Sequence, residues 1–107
     1  MREYNMLTEK DYCDLKTIRD LEALGMNVYT SIRGVEVLKH LLLYEAQKWL
    51  REEKGIIVGI INNFTTKEFD YYISTWDKDR CTGNTYTSYE EALLRGIKKA
   101  VEILKGE

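Results

Sequence analysis

The stretch "GIIVGIINNF", Gly55 to Phe64, decides how this chain folds. A β-strand turns successive side chains to opposite faces, so Ile56, Val58 and Ile60 point one way and Ile57, Gly59 and Ile61 the other. Both sets are apolar. A strand with one buried face alternates apolar with polar residues, and this one does not. The fold must therefore cover a second face or leave it open to a partner.

Downstream, the polar turn "TTKE" separates this run from "FDYYISTW", which is rich in aromatic and β-branched residues and reads as a second strand. "DKDRCTGN" reads as a loop and "TYTS" as a short third strand. Sequential strands joined by short loops make an antiparallel meander.

Helices flank it. "DLKTIRDLEALG" begins with Asp14 as N-cap, carries Leu15, Ile18, Leu21 and Leu24 on a drifting apolar stripe, and closes at Gly25. "MNVYTSIRG" reads as an extended connector ending in a turn at Gly34. From Val35 to Lys54 the spacing is helical, with Val35, Leu38, Leu42, Ala46, Trp49 and Leu50 on one side. The apolar run "HLLLY" allows a break near Leu43, so residues 26–43 stand open between one helix and a broken connector.

The closing segment is the clearest. Ser88-Tyr89-Glu90-Glu91 is a capping box, acids occupy the first turn, and Arg95, Lys98, Lys99 and Lys105 follow toward the negative end of the helix dipole. Ala92, Gly96 and Ala100 lie four apart and form a groove of small residues. Glycine inside a helix costs about 1 kcal/mol against alanine, so Gly96 implies close approach to a bulky sheet residue such as Trp76 or Tyr72. The whole reads as an α+β two-layer sandwich, α-α-β-β-β-α, in one domain spanning 1–107, with a small antiparallel meander packed by helices.

Composition narrows the function. Sixteen basic residues face eighteen acidic ones, a net charge of −2, which is the wrong sign for a general phosphate-backbone binder. One histidine, His40, and two distant cysteines, Cys13 and Cys81, supply no metal-site spacing. No 18-residue apolar run or signal peptide is present, and two reduced thiols fit the cytoplasm. No serine or cysteine sits beside His40 in a nucleophile motif, and Glu68, Asp70, Asp77 and Asp79 are spaced as solvated strand-end acids. The sequence therefore assigns no catalytic residue, cofactor, metal or small-molecule substrate.

"YEAQKWLREEKGI" (Tyr44 to Ile56) and "TSYEEALLRGIKKAVEIL" (Thr87 to Leu104), with the helix ahead of them, resemble a group of small uncharacterised proteins of bacteria and their phages or mobile elements. In that group a "KWLRE" helix leads into a strand pair and a "SYEEAL" helix closes the chain. The motifs that carry the resemblance are structural, a helix end and a capped helix, so it transfers no catalytic residue, and the group has no established activity. The α-β-β-β-α portion also resembles double-stranded RNA-binding domains, which grip phosphates with lysines at the start of the final helix. Glu90 and Glu91 stand there instead, so nucleic acid ranks below protein as a partner. The closing helix is similar to the one that follows the sheet in HicB-type antitoxins. "TIRDLEALGM" is similar to a helix of MerR-like DNA binders, and a capped amphipathic helix explains the same residues.

The resulting expectation is a small interaction module that associates through its sheet, with a homodimer or another protein as partner. Candidate interface residues are Ile57, Ile61, Tyr72 and Trp76; a nucleic-acid reading would instead need a contiguous basic surface from Arg51, Arg95, Lys98 and Lys99.

Overall fold

In the computed structural model the described residues are 11–33, 36–75, 79–81 and 85–106. The chain runs α1 (Leu15–Ala23), β1 (Tyr29–Arg33), β2 (Glu36–His40), α2 (Leu43–Lys54), β3 (Ile57–Asn63), β4 (Glu68–Ser74), β5 (Asp79–Cys81) and α3 (Tyr89–Gly106). It is an α+β fold in which β3, β4 and β5 form an antiparallel meander in that spatial order. The helices lie on one face of it, and the molecule is 20 Å through its thinnest dimension, the depth of two layers.

Each helix begins and ends for a local reason. Asp14 Oδ1 accepts the backbone N–H of Thr17 at 2.9 Å, which caps α1. Glu45 Oε1 accepts the N–H of Leu42 at 2.9 Å, which starts α2, and Gly55 ends it in the left-handed region at φ 69°. Ser88 Oγ accepts the N–H of Glu91 at 3.1 Å and starts α3. The β3–β4 turn is held by Asn63, whose Oδ1 accepts the N–H groups of Thr65 and Thr66 and whose backbone carbonyl accepts that of Lys67 at 2.7 Å.

The core lies between α2, α3 and the inner face of β3 and β4. Leu50, Val58, Ile73, Ile97 and Ala100 are sealed from solvent, with Ile18 and Leu21 of α1 closing one side. A Cβ added to Gly96 would fall 2.5 Å from Val58 Cγ1 and 3.2 Å from Tyr71 Cβ. The small-residue groove of α3 therefore receives Val58 and Tyr71. It does not receive Tyr72, whose register places it on the opposite face, and Trp76 lies outside the described residues.

Two segments depart from the sequence reading. The helical stretch assigned to Val35–Lys54 begins only at Leu43; residues Glu36–His40 form a strand that pairs with β1, from Tyr29 opposite His40 to Arg33 opposite Glu36. His40 accordingly sits on a strand. The cause is strand chemistry on both sides of Gly34, Thr30 and Ile32 before it and Val35 and Val37 after it, a pattern that makes hairpins. Lys39 Nζ on β2 reaches Glu22 Oε2 on α1 at 2.7 Å, and Tyr12 bridges Leu42.

The third strand of the meander is Asp79–Cys81, where a loop was expected, and not "TYTS". Tyr86 makes a single bridge to Phe69, because the helix cap at Ser88 turns the chain two residues later.

Candidate functional site

The register of β3 against β4 answers which of its two apolar faces is covered. Ile57 lies opposite Ser74, Gly59 opposite Tyr72 and Ile61 opposite Asp70, whereas Val58 lies opposite Ile73 and Ile60 opposite Tyr71. Directly opposed residues share a face, so β4 contributes Phe69, Tyr71 and Ile73 to the inner side and Asp70, Tyr72 and Ser74 to the outer. The inner set is packed against the helices; Val58 and Ile73 are 1% and 0% exposed. Ile57 and Ile61 on the outer side are each 43% exposed.

Tyr72 partly roofs this outer face. A Cβ at Gly59 would overlap the ring and hydroxyl of Tyr72, so the ring lies across the bare glycine backbone. The outcome is a shallow surface with Ile57 at one end, Tyr72 over Gly59 in the middle and Ile61 at the other. Phe64 in the adjoining turn is 84% exposed. The geometry thus brings together Ile57, Ile61 and Tyr72 of the candidate interface, and Trp76 lies outside the described residues.

Three of the four candidate basic residues lie beside acids. Lys98 Nζ bonds Asp14 Oδ2 at 2.8 Å, Lys99 Nζ approaches Glu102 Oε1 at 3.5 Å, and Arg51 lies 4.0 Å from Glu52. Arg95 is exposed on α3, one turn before Lys99. Lys98 acts in tethering: with Lys105, which reaches Asp20 at 3.2 Å, it joins α3 to α1. Partial burial would raise the Asp14 carboxyl, but the bonds from Lys98 and Thr17 outweigh it and hold it down at about 2. Bonds from Lys16 and Lys105 lower Asp20 likewise.

Two clefts remain. One, about 380 Å³, runs between α1 and α3 past Thr17, Asp20, Lys98 and Lys105. The Thr17 hydroxyl is buried there without a hydrogen-bond partner among the described residues. The cleft's lysines face the carboxylates just described. The other, about 480 Å³, is lined by Tyr12, Cys13, Asp14, Lys39, His40 and Leu94. A thiol and an imidazole in one cleft are the parts of a cysteine nucleophile. Burial, followed by the charge of Asp14, pushes the Cys13 thiol up to about 12, so it stays protonated near neutrality and is a poor nucleophile. His40 stacks at a tilt on Tyr29 with ring centroids 5.6 Å apart. Among the described residues no three His, Cys, Asp or Glu side chains gather to hold a metal ion, and no helix is long and apolar enough to cross a membrane.

No protein-family model matches the chain, and neither a curated protein nor a solved structure matches it.

The signal for the open face is present in the sequence, though not in the strand that raises the question. "EFDYYIS" alternates Glu68, Asp70, Tyr72 and Ser74 with Phe69, Tyr71 and Ile73. Once "GIIVGIINNF" is paired with it, the polar set of β4 marks the outer face of β3.

Proposed function

We propose that this chain is a protein-association module that works through its three-stranded sheet, taking a second copy of itself or another protein as partner. The observation that carries the reading is the outer face of β3 and β4. Ile57 and Ile61 stand 43% exposed beside Tyr72, while α2 and α3 pack on the other side. Contiguous exposed apolar surface on a small protein marks association sites, and two-fold pairing is the commonest form of self-association. The protonated Cys13 thiol and the carboxylate-paired lysines support association over catalysis or phosphate binding. A regulatory role in the cytoplasm belongs to the same proposal, in the bacterial mobile-element setting that the "KWLRE" and "SYEEAL" segments suggest.

The test is solution mass by light scattering for the wild type and for Ile61→Glu. Ile61 is at the surface, so the variant keeps its circular dichroism. The expected result is a wild type heavier than one chain and a variant reduced to one. A wild type that stays a single chain at the highest soluble concentration removes self-association from the reading.

A further inference from the structure

Each carboxylate of α1 and its cap bonds a lysine of another element. Asp14 meets Lys98 of α3 at 2.8 Å, Asp20 meets Lys105 of α3 at 3.2 Å, and Glu22 meets Lys39 of β2 at 2.7 Å. Asp20 also takes Lys16 of its own helix. The short helix is thus pinned by charge along its whole length.

Beneath those bonds the packing is thin. Of the nine residues of α1, Thr17, Ile18 and Leu21 are buried, and the main neighbour of the helix is α3. By contrast α3 buries Ala92, Leu93, Gly96, Ile97, Ala100 and Val101, and it packs on β3 and β4 as well as on α2. One of the three buried residues of α1 is the threonine whose hydroxyl has no hydrogen-bond partner among the described residues. A buried, unpaired hydroxyl works against docking. The cleft of about 380 Å³ runs along the same seam, past Thr17 and Val101. Side chains that face a gap forgo the dispersion contacts of close packing.

The helix dipoles add nothing to hold the pair. Asp14 meets Lys98 and Asp20 meets Lys105, so the bonds climb both helices in the same order. α1 and α3 therefore run in the same sense, with their negative ends on the same side. Once off α3, nine residues do not sustain a helix in water. The segment thus has two states, docked and helical or lifted and unwound.

We infer that α1 is a strap held closed by charge. It lifts from α3 as a unit while α2, α3 and the meander stay folded, and ionic strength sets how often it lifts. The screening length falls from about 10 Å at 0.1 M salt to about 3 Å at 1 M, which weakens the three lysine bonds. Salt does not weaken the burial of Ile18 and Leu21, so the response belongs to the bonds. The strap lies on the helical layer, away from the outer face of the sheet, and it opens whether or not the chain associates there.

Native-state amide hydrogen exchange of the full chain tests this, with a peptide of the α1 sequence in the same buffers as the reference for unprotected rates. The expected result is that the N–H groups of Ile18 and Leu21 exchange together, at least about tenfold faster than those of Ile97 and Ala100 in α3. Raising NaCl from about 0.1 M to about 1 M speeds them severalfold further. The variant Asp20→Asn with Glu22→Gln removes two of the three bonds and leaves the Asp14 cap and every buried side chain in place. It also takes negative charge from the C-terminal half of α1, which favours the isolated helix. Faster exchange of Ile18 and Leu21 in this variant at low salt, with a smaller salt response, is therefore the mark of lost tethers. Slower or unchanged exchange overturns the hold by charge. Equal rates for α1 and α3 in the wild type overturn the strap altogether, since the helices then open only with the whole fold. If the variant does not fold, the wild-type salt series decides: exchange of Ile18 and Leu21 that ignores salt overturns the inference.

Discussion

The inner and outer faces of β3 have nearly the same side chains and opposite fates. Inside are Val58 and Ile60, outside Ile57 and Ile61, and hydrophobicity alone does not separate the two sets. The difference comes from what lies across the ladder. The inner residues meet Tyr71 and Ile73 and then the Ala92–Gly96–Ala100 groove of α3; the outer ones meet Asp70, Tyr72 and Ser74. Each face has a glycine in close contact with a neighbour. Gly96 is hemmed in by Val58 and the root of Tyr71, atoms locked in the core. Gly59 is covered by the far end of one tyrosine ring that is free to swing away. A strand is thus committed to a face by its neighbours, and the same small residue is rigidly required on one side and loosely occupied on the other.

The comparison is broken most severely from the inside. Ile73→Ala empties a site that is 0% exposed and costs about 3 kcal/mol in urea unfolding. Next comes a matched pair of glycine substitutions. Gly96→Ala drives a methyl group into Val58 and costs about 1–2 kcal/mol net, overpacking exceeding the gain in helix propensity. Gly59→Ala displaces only the Tyr72 ring and costs less than about 1 kcal/mol, with a rise in Tyr72 solvent accessibility as the separate signature. Equal losses from the two would mean that the faces are equally packed.

The smallest effect is a dependence on pH. Asp14 has a folded value of about 2 against 3.8 when free, so its contribution is complete above about pH 4 and fades as the pH falls toward 2. Its side chain is half exposed, and solvent screening limits the ion-pair share to about 1 kcal/mol or less. Asp14→Asn keeps a capping oxygen for Thr17 and flattens this part of the acid limb in a pH series of urea melts.

Much of the frame is readable from local chemistry. The Ser88 and Asp14 caps, the stop at Gly55 and the Asn63 turn all act through atoms within a few residues, and the sequence displays them directly. The hairpin of β1 and β2 is masked because Val35, Leu38 and Leu42 also satisfy helical spacing, and only pairing with Tyr29–Arg33 resolves the ambiguity. The third strand is misplaced for a related reason. Asp79–Cys81 has weak strand chemistry and is held by Tyr72, Ile73 and Ser74 across the ladder. Of the candidate site, Ile57, Ile61 and Tyr72 are legible as an apolar set. Their shared exposure is legible only through the alternation of β4.

The tethers between α1 and α3 bear on how the chain is made. Lys98 follows its partner Asp14 by 84 residues, and Lys105 follows Asp20 by 85. During synthesis α1 leaves the ribosome long before the surface that receives Ile18 and Leu21 exists, and a nine-residue helix is too short to hold its shape in water unaided. The first helix must therefore wait for the last one to be translated, and while it waits its apolar stripe lies exposed to proteases.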